Sequence, residues 1–405
     1  MNHKTTEIMK CNMYILAILV SSLILVSCEE TPLDPVTSCN IGGSVDYTTN
    51  PNNDLYQDIL DEYVAKGLPG VSVAIETPDQ GWWVGCAGVA SIEDDIPMEP
   101  CHLHPSSGMA VPYMATLVFR LYEEELLDLD DPISDYLPEE MVSRIANGED
   151  ATIRQVLGHK AGFDDVYYGD AALRDVLNNP YAERTTESNF EDYFYDRKAV
   201  AAPGEEFRFS DAGYDLLGMV IENVSGKSLA AYFQQEITGP LGLSHTFHKN
   251  TPGYPDLPDL VNGYIEIYAH QIQNITHVDM TQAEISTGHI GIRATPLDYA
   301  TFYRELLSGN VLEPATLEIM MSERTEVNDT LSYCLGIANR QKTYGEVYEH
   351  RGILYGIDGQ TSYYPDEGIT FSMITNLGRA TICDLDGLFL SMVDEMEKVI
   401  FTGER

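Results

Sequence analysis

Basic side chains are scarce here: 23 lysines and arginines stand against 64 aspartates and glutamates in 405 residues, a formal net charge of −41. A surface of that sign repels phosphate backbones and anionic lipid head groups, so the composition argues against nucleic-acid binding. The acids are dispersed rather than gathered into runs, which reads as an acidic, self-repelling exported surface rather than as a docking tail. Cysteine is sparse as well, seven in all. None falls at a C-x-x-C or comparable spacing, so no metal cluster or dense disulfide framework is indicated. No motif calls for a cofactor, and there is no internal repeat. Lysine is missing altogether between Lys66 and Lys160, an absence that matters below.

Long apolar runs are few too. The one long apolar run, Met13 to Val26, falls short of the roughly 20 residues a bilayer requires. Lys4 and Lys10 precede it, the basic flank of an export signal. Its end, Leu25-Val26-Ser27-Cys28, resembles a bacterial lipoprotein box. That resemblance implies cleavage before Cys28 and acylation of its thiol, hence an envelope protein held to the membrane by lipid; an uncleaved membrane anchor is the competing reading. Residues 29–52, rich in Pro, Thr, Asn and Gly, read as a tether. The division expected is a signal peptide over 1–27, a flexible tether over 28–52 and a folded body over 53–405.

The body opens with apolar residues at helical spacing (Leu55, Ile59, Leu60, Tyr63, Val64), capped by Asn53 or Asp54. Two β-type runs follow, Val71–Thr77 and Trp82–Ser91, joined by the turn at 78–81. Residues 141–200 look mainly helical. Strands return over 348–376, and an amphipathic helix is expected over 384–399. Cys86 and Cys101 sit on adjoining segments of an exported chain, which makes them a possible disulfide pair.

Residues 106–138 read SSGMAVPYMATLVFRLYEEELLDLDDPISDYLP. They resemble the nucleophile helix of the serine β-lactamase and penicillin-binding-protein family, in its class C, D-alanyl-D-alanine carboxypeptidase and esterase branch. There the pattern runs S-x-x-K, then L-x-L-D-D-P-x-x-x-Y-L-P. Thr152–Phe163, Phe207–Leu229, Gly239–Thr246 and Ser286–Leu306 resemble later landmarks, so the likeness covers roughly 55–400. It implies an α/β (α+β) fold: an antiparallel sheet flanked by helices plus a helical lobe, with the active site between them.

The family's chemistry is acyl transfer through a serine ester. A lysine one helical turn on shares the serine's face of the helix, and a tyrosine helps to move the proton. Counted without gaps, the serine position is Gly108 and the lysine position Val111. A register shifted by one gives Ser107 and Ala110, still without lysine. The Tyr-x-Asn motif aligns with Phe209-Ser210-Asp211, losing the hydroxyl and exchanging an amide for a carboxylate. His350-Arg351-Gly352 stands where the family has Lys-Thr-Gly or His-x-Gly on an inner strand. Pro112 moves the expected helix start toward Val111. His102 and His104 share a face but have no evident third metal ligand; His159, His245 and His289 fall in turn segments and read as structural.

These departures point first to an inactive family member whose cleft, lined by Phe209, Ser210, Asp211, His350, Arg351 and Gly352, holds a small molecule or peptide. The second reading is a divergent hydrolase using Ser107 or Ser210 with a histidine. The third is a purely structural envelope component.

Overall fold

The computed structural model describes residues 47–405, apart from 165–173, 176–177, 180–181, 183–184, 252–256, 258, 268–269, 279, 281–287, 289, 379–384 and 386. The signal segment, Cys28, most of the tether and His289 lie outside the described residues.

The first helix, α1 (Asn53–Ala65), has Asn52 at its N-cap position, one residue earlier than expected, and no side-chain capping hydrogen bond there. It buries Ile59, Leu60 and Tyr63 of the expected stripe together with Tyr56, which the spacing did not mark, while Leu55 and Val64 are only half-buried. Strands β1 (Gly70–Thr77) and β2 (Gly81–Ser91) form the expected hairpin. Beside them lie β3 (Ile96–Pro97) and, from the far end of the chain, β4 (Thr325–Asn328), β5 (Leu331–Tyr333), β6 (Ala338–Lys342), β7 (Gly345–Leu354), β8 (Ile357–Tyr364) and β9 (Ile369–Thr375). They make one nine-stranded sheet in the order β3-β2-β1-β9-β8-β7-β6-β5-β4, with every neighbouring pair antiparallel. The ends of the body therefore close on each other through β1 and β9, where Val73 faces Met373.

The period-two alternation of the strands divides the core between the two faces. Val71, Val73, Ile75, Tyr364, Phe371 and Met373 join α1 and the last helix on one side. That last helix, which starts and ends a few residues later than the sequence suggests, spans Leu388–Thr402. Tyr348, Leu354, Tyr363 and Ile374 face the helical lobe on the other. The lobe is centred on α2 (Val111–Glu123), whose residues 111–119 are all buried. Around it stand α3 (Ile153–Leu157), α4 (Asp211–Ser225) and α5 (Pro296–Leu307). Tyr113 of α2 stacks on Phe302 of α5, with ring centroids 3.6 Å apart. A helix buried on all sides at the centre, with a sheet strand passing its N-terminus, sets up the site.

Among the described residues, no helix is long and apolar enough to cross a membrane. The Cys86–Cys101 pairing does not form. Cys86 is a free thiol donating to the Met98 carbonyl at 3.1 Å, and the disulfide that Cys101 does form is not with it.

Candidate functional site

The approach to α2 is a 3₁₀ turn over Ser107–Ala110, and the α-helix proper starts at Val111 with Pro112 in its first turn. Proline tolerates that place because the first helical N–H groups have no intrahelical partner. Ser107 holds φ at +43°, a left-handed conformation that costs a non-glycine residue free energy. The strain sits one residue before Gly108.

Strand β7 runs alongside. A β-carbon on Gly352 would lie 2.3 Å from the Ser106 carbonyl oxygen, so only glycine lets the strand come this close. The same closeness governs Gly108. A β-carbon there would stand 2.7 Å from the Arg351 carbonyl oxygen and 3.2 Å from His350 Cε1. Val111 is fully buried. Both sequence positions that the serine–lysine pair would fill are thus packed shut around the small or apolar residue present.

His350 is buried on the lobe side of β7, 5% exposed, where alternation places it. Arg351 points the other way. Its guanidinium forms a two-point ion pair with Asp358 (Nε–Oδ1 2.9 Å, Nη2–Oδ2 2.5 Å) and lies over the Phe389 ring. Only its backbone carbonyl reaches the cleft, so the expectation that its side chain lines the ligand site is not met by this geometry.

A hydrogen-bond chain runs through the site. The Ser210 backbone N–H donates to His159 Nδ1 at 3.1 Å. A neutral His159 then carries its proton on Nε2, which donates to the Tyr333 hydroxyl at 3.2 Å. That hydroxyl donates in turn to His350 Nε2 at 3.0 Å, and His350 Nδ1–H meets the Arg351 carbonyl at 3.2 Å. Burial keeps both imidazoles uncharged: it pushes His350 down to about 4 and His159 well below the ordinary histidine range. Burial likewise holds the Tyr333 phenol well above its ordinary value, and the neighbouring Tyr214, Tyr303 and Asp211 add to the rise. Sequence reading missed Tyr333 and treated His159 as structural. Tyr333 ends a three-residue strand, and no local motif marks it.

Aromatic rings close around this chain. Phe209, half-buried, lies 4.2 Å from the His159 ring and 6.3 Å from His350, centroid to centroid. Phe207 sits 5.3 Å from Tyr333, and Tyr214 5.1 Å from His159. Asp211 is buried at the first position of α4.

The hydroxyls weighed as substitute nucleophiles are differently disposed. Ser210 is the N-cap of α4: its Oγ accepts from the Gly213 N–H and donates to the Asp164 carbonyl. Ser107 Oγ is buried and has no hydrogen-bond partner among the described residues. His104 is fully buried, and burial pushes it down to about 3. No group of three or more histidines, cysteines or acids suited to a metal ion occurs among the described residues. His245 lies in the segment leading into the Thr246–His248 strand, near Ser244.

The β-lactamase family profile matches residues 56–381. Protein flp of Staphylococcus aureus (strain N315) is 25% identical over 204 residues, half of this chain and 40% of that protein. The D-alanyl-D-alanine-carboxypeptidase/endopeptidase of Escherichia coli (strain K12) is 29% identical over 136 residues, 34% of each chain. This chain thus aligns with well under half the length of these curated relatives. Among solved structures, D-amino acid amidase from Ochrobactrum anthropi SV3 superposes with a TM-score of 0.72 at 21% identity, covering 87% of this chain and 99% of that one. An octameric penicillin-binding protein homologue from Pyrococcus abyssi gives 0.73 at 21% identity, covering 87% and 78%. At that identity the likeness is one of fold.

Proposed function

Because this chain belongs to the β-lactamase family, whose covalent step needs a side-chain nucleophile where Gly108 stands, we propose that it is a non-catalytic member that holds a ligand in the old cleft. The observation that carries this reading is the 2.7 Å gap between the Arg351 carbonyl and any β-carbon at position 108. The residue is not merely absent; its surroundings are set for glycine. Val111 offers no base, and Phe209 has no hydroxyl. Each loss removes a group worth orders of magnitude in rate, and without the nucleophile no ester forms.

The relatives suggest the ligand class. One is a D-alanyl-D-alanine carboxypeptidase/endopeptidase and one structural neighbour is a D-amino acid amidase, so short D-amino-acid peptides or amides are the compounds to try. The cell-envelope setting follows from the lipoprotein-like ending at Cys28: the chain is exported and lipid-anchored. Cys28→Ser should then abolish palmitate labelling and detergent partitioning, whereas unchanged partitioning would point to an uncleaved anchor.

The test of the non-catalytic reading is direct. Purified protein should leave chromogenic cephalosporins, p-nitrophenyl esters and D-phenylalanine amide unhydrolysed above background, and should not take up a fluorophosphonate. One feature favours the divergent-hydrolase reading, the strained backbone beneath the buried hydroxyl of Ser107. Turnover lost in Ser107→Ala would establish that reading and end the first.

A further inference from the structure

A second hollow lies on the helical lobe and shares no residue with the cleft. It is a cavity of about 360 Å³ between the helix Leu229–Phe233, the π turn Gln234–Thr238 that continues it and the strand Thr246–His248. Its floor is apolar: Ala230, Phe233 and Leu243 are buried, and Phe247 stands half-buried beside them. The Phe233 ring is a fixed surface, packed 5.6 Å from Tyr113 of α2 and 6.2 Å from His248, centroid to centroid. At the rim, the Gln234 amide and the Thr238 hydroxyl have no hydrogen-bond partner in the protein.

On a chain of net charge −41, no charged side chain among the described residues lines this cavity. The charges of the same segments are engaged elsewhere. Glu236 of the π turn is tied to Arg120 at 3.0 Å, and Lys227 donates to Gln235. Asp298, behind the strand, accepts from the Thr246 hydroxyl and the His245 N–H, both at 2.9 Å. Lys249, just past the strand, has a partner of its own. A charged ligand would shed its water here with no counter-charge to meet it, which is costly. An uncharged ring gains by covering the apolar floor, and an aromatic one can pack against Phe233 and Phe247. An amide on that ring would meet both a donor and an acceptor in Gln234 and Thr238. Size agrees: a cavity of roughly 150 Å³ takes up benzene, so this one admits a ring with a short polar arm.

We propose that this cavity is a second binding site, independent of the cleft, for an uncharged aromatic compound that carries an amide, of which benzamide is the simplest.

The experiment is a proton NMR titration of the full chain at pH 7 with benzamide and with benzoate, which are nearly equal in shape. Benzamide should bind saturably and at least tenfold tighter than benzoate. That preference should persist at high sodium chloride, where repulsion of benzoate by the net charge is screened. Phe247→Ala should weaken benzamide several-fold, and Ala230→Leu, which fills the floor, should abolish its binding. Thr238→Val keeps the side-chain shape at a half-buried rim position, so it tests the site even if the other two variants fold poorly; it too should weaken benzamide several-fold. Phe209→Leu, in the cleft, should leave benzamide binding unchanged. Equal binding of benzoate at high salt, no saturable benzamide binding, or binding untouched by Thr238→Val would overturn the proposal. So would binding lost in Phe209→Leu and kept in Phe247→Ala, which would put the ligand in the cleft.

Discussion

A carbon and an oxygen in ordinary contact rest well beyond the 2.7 Å that would separate a β-carbon at position 108 from the Arg351 carbonyl. Gly108→Ala must therefore push β7 away from the 3₁₀ turn, and overpacking of this kind costs about 1–3 kcal/mol. Thermal unfolding should show a lower midpoint for Gly108→Ala with no gain in esterase activity; an unchanged midpoint would mean the turn yields freely. Restoring the family's set as Gly108→Ser, Val111→Lys, Phe209→Tyr and Asp211→Asn should destabilise further, since the ammonium would enter a fully buried site without a carboxylate partner. The neighbouring histidine gives a pH prediction. Burial lowers His350 to about 4 in the fold, against about 6.5 in the unfolded chain. Below pH 6.5 the unfolded state binds the extra proton first, so this group's contribution is complete above 6.5 and is lost as pH falls toward 4, by a few kcal/mol in total. His159, lowered for the same reason, acts in the same direction. Denaturant midpoints taken at pH 7 and pH 5 should differ less in His350→Gln than in wild type; an equal difference would mean His350 is not held neutral.

At the level of elements, β7 places two different networks on its two faces. Its lobe side carries His350 and Gly352. Its other side carries Glu349, which is 5% exposed and receives Arg340 at 2.7 Å and Lys342 at 2.8 Å. Lys342 also reaches Glu397 of the last helix at 2.9 Å, and the Tyr364 hydroxyl donates to the same carboxylate at 2.8 Å. Lys342 thus ties the C-terminal helix to the sheet. Lys342→Met leaves two buried carboxylates facing each other and should cost about 3 kcal/mol; adding Glu397→Gln should recover part of that loss in a double-mutant cycle. Full additivity of the two changes would show that the bridge carries no such role. The strand alternation also shows what sequence made legible. The hairpin of β1 and β2, the centre of the α1 stripe at Ile59, Leu60 and Tyr63, and the start of α2 at Val111 follow from local periodicity and from Pro112. Gly108, Val111 and Phe209 could be placed by motif spacing. Arg351 was set in the cleft because adjacent residues of a motif read as one site, although neighbours on a strand face opposite sides. Tyr333 was missed because its hydroxyl meets His159 across 174 residues, a separation no local pattern encodes. The Cys86–Cys101 pairing failed for a related reason: nearness in sequence does not bring two thiols face to face.

For the molecule as a whole, a formal charge of −41 means that the folded chain repels itself more than a neutral one of its size. Many of its basic side chains are already spent. Arg144 holds Glu191 and Asp196, Arg154 holds Asp130 and Glu323, Arg304 holds Glu76 and Glu305, and Arg405 holds Glu62 and Glu395. Surface pairs of this kind, exposed or half-buried, contribute little each, roughly 0–1 kcal/mol where exposed, so they do not offset repulsion among the remaining acids. Salt weakens both effects, but there is far more repulsion to screen. Raising sodium chloride from about 10 mM to about 150 mM shortens the screening length from ~30 Å to ~8 Å, and the thermal midpoint should rise at pH 7. Acid should act in two opposed ways. Neutralising surface carboxylates relieves repulsion, while the buried histidines draw protons to the unfolded state. At low salt the first effect is large and stability should change little, or rise, between pH 7 and pH 5. At high salt the repulsion is already screened and the histidines decide, so the same pH step should lower the midpoint. Midpoints measured at both salts and both pH values settle the matter: a pH response independent of salt would mean that surface repulsion plays no part in the stability of this fold.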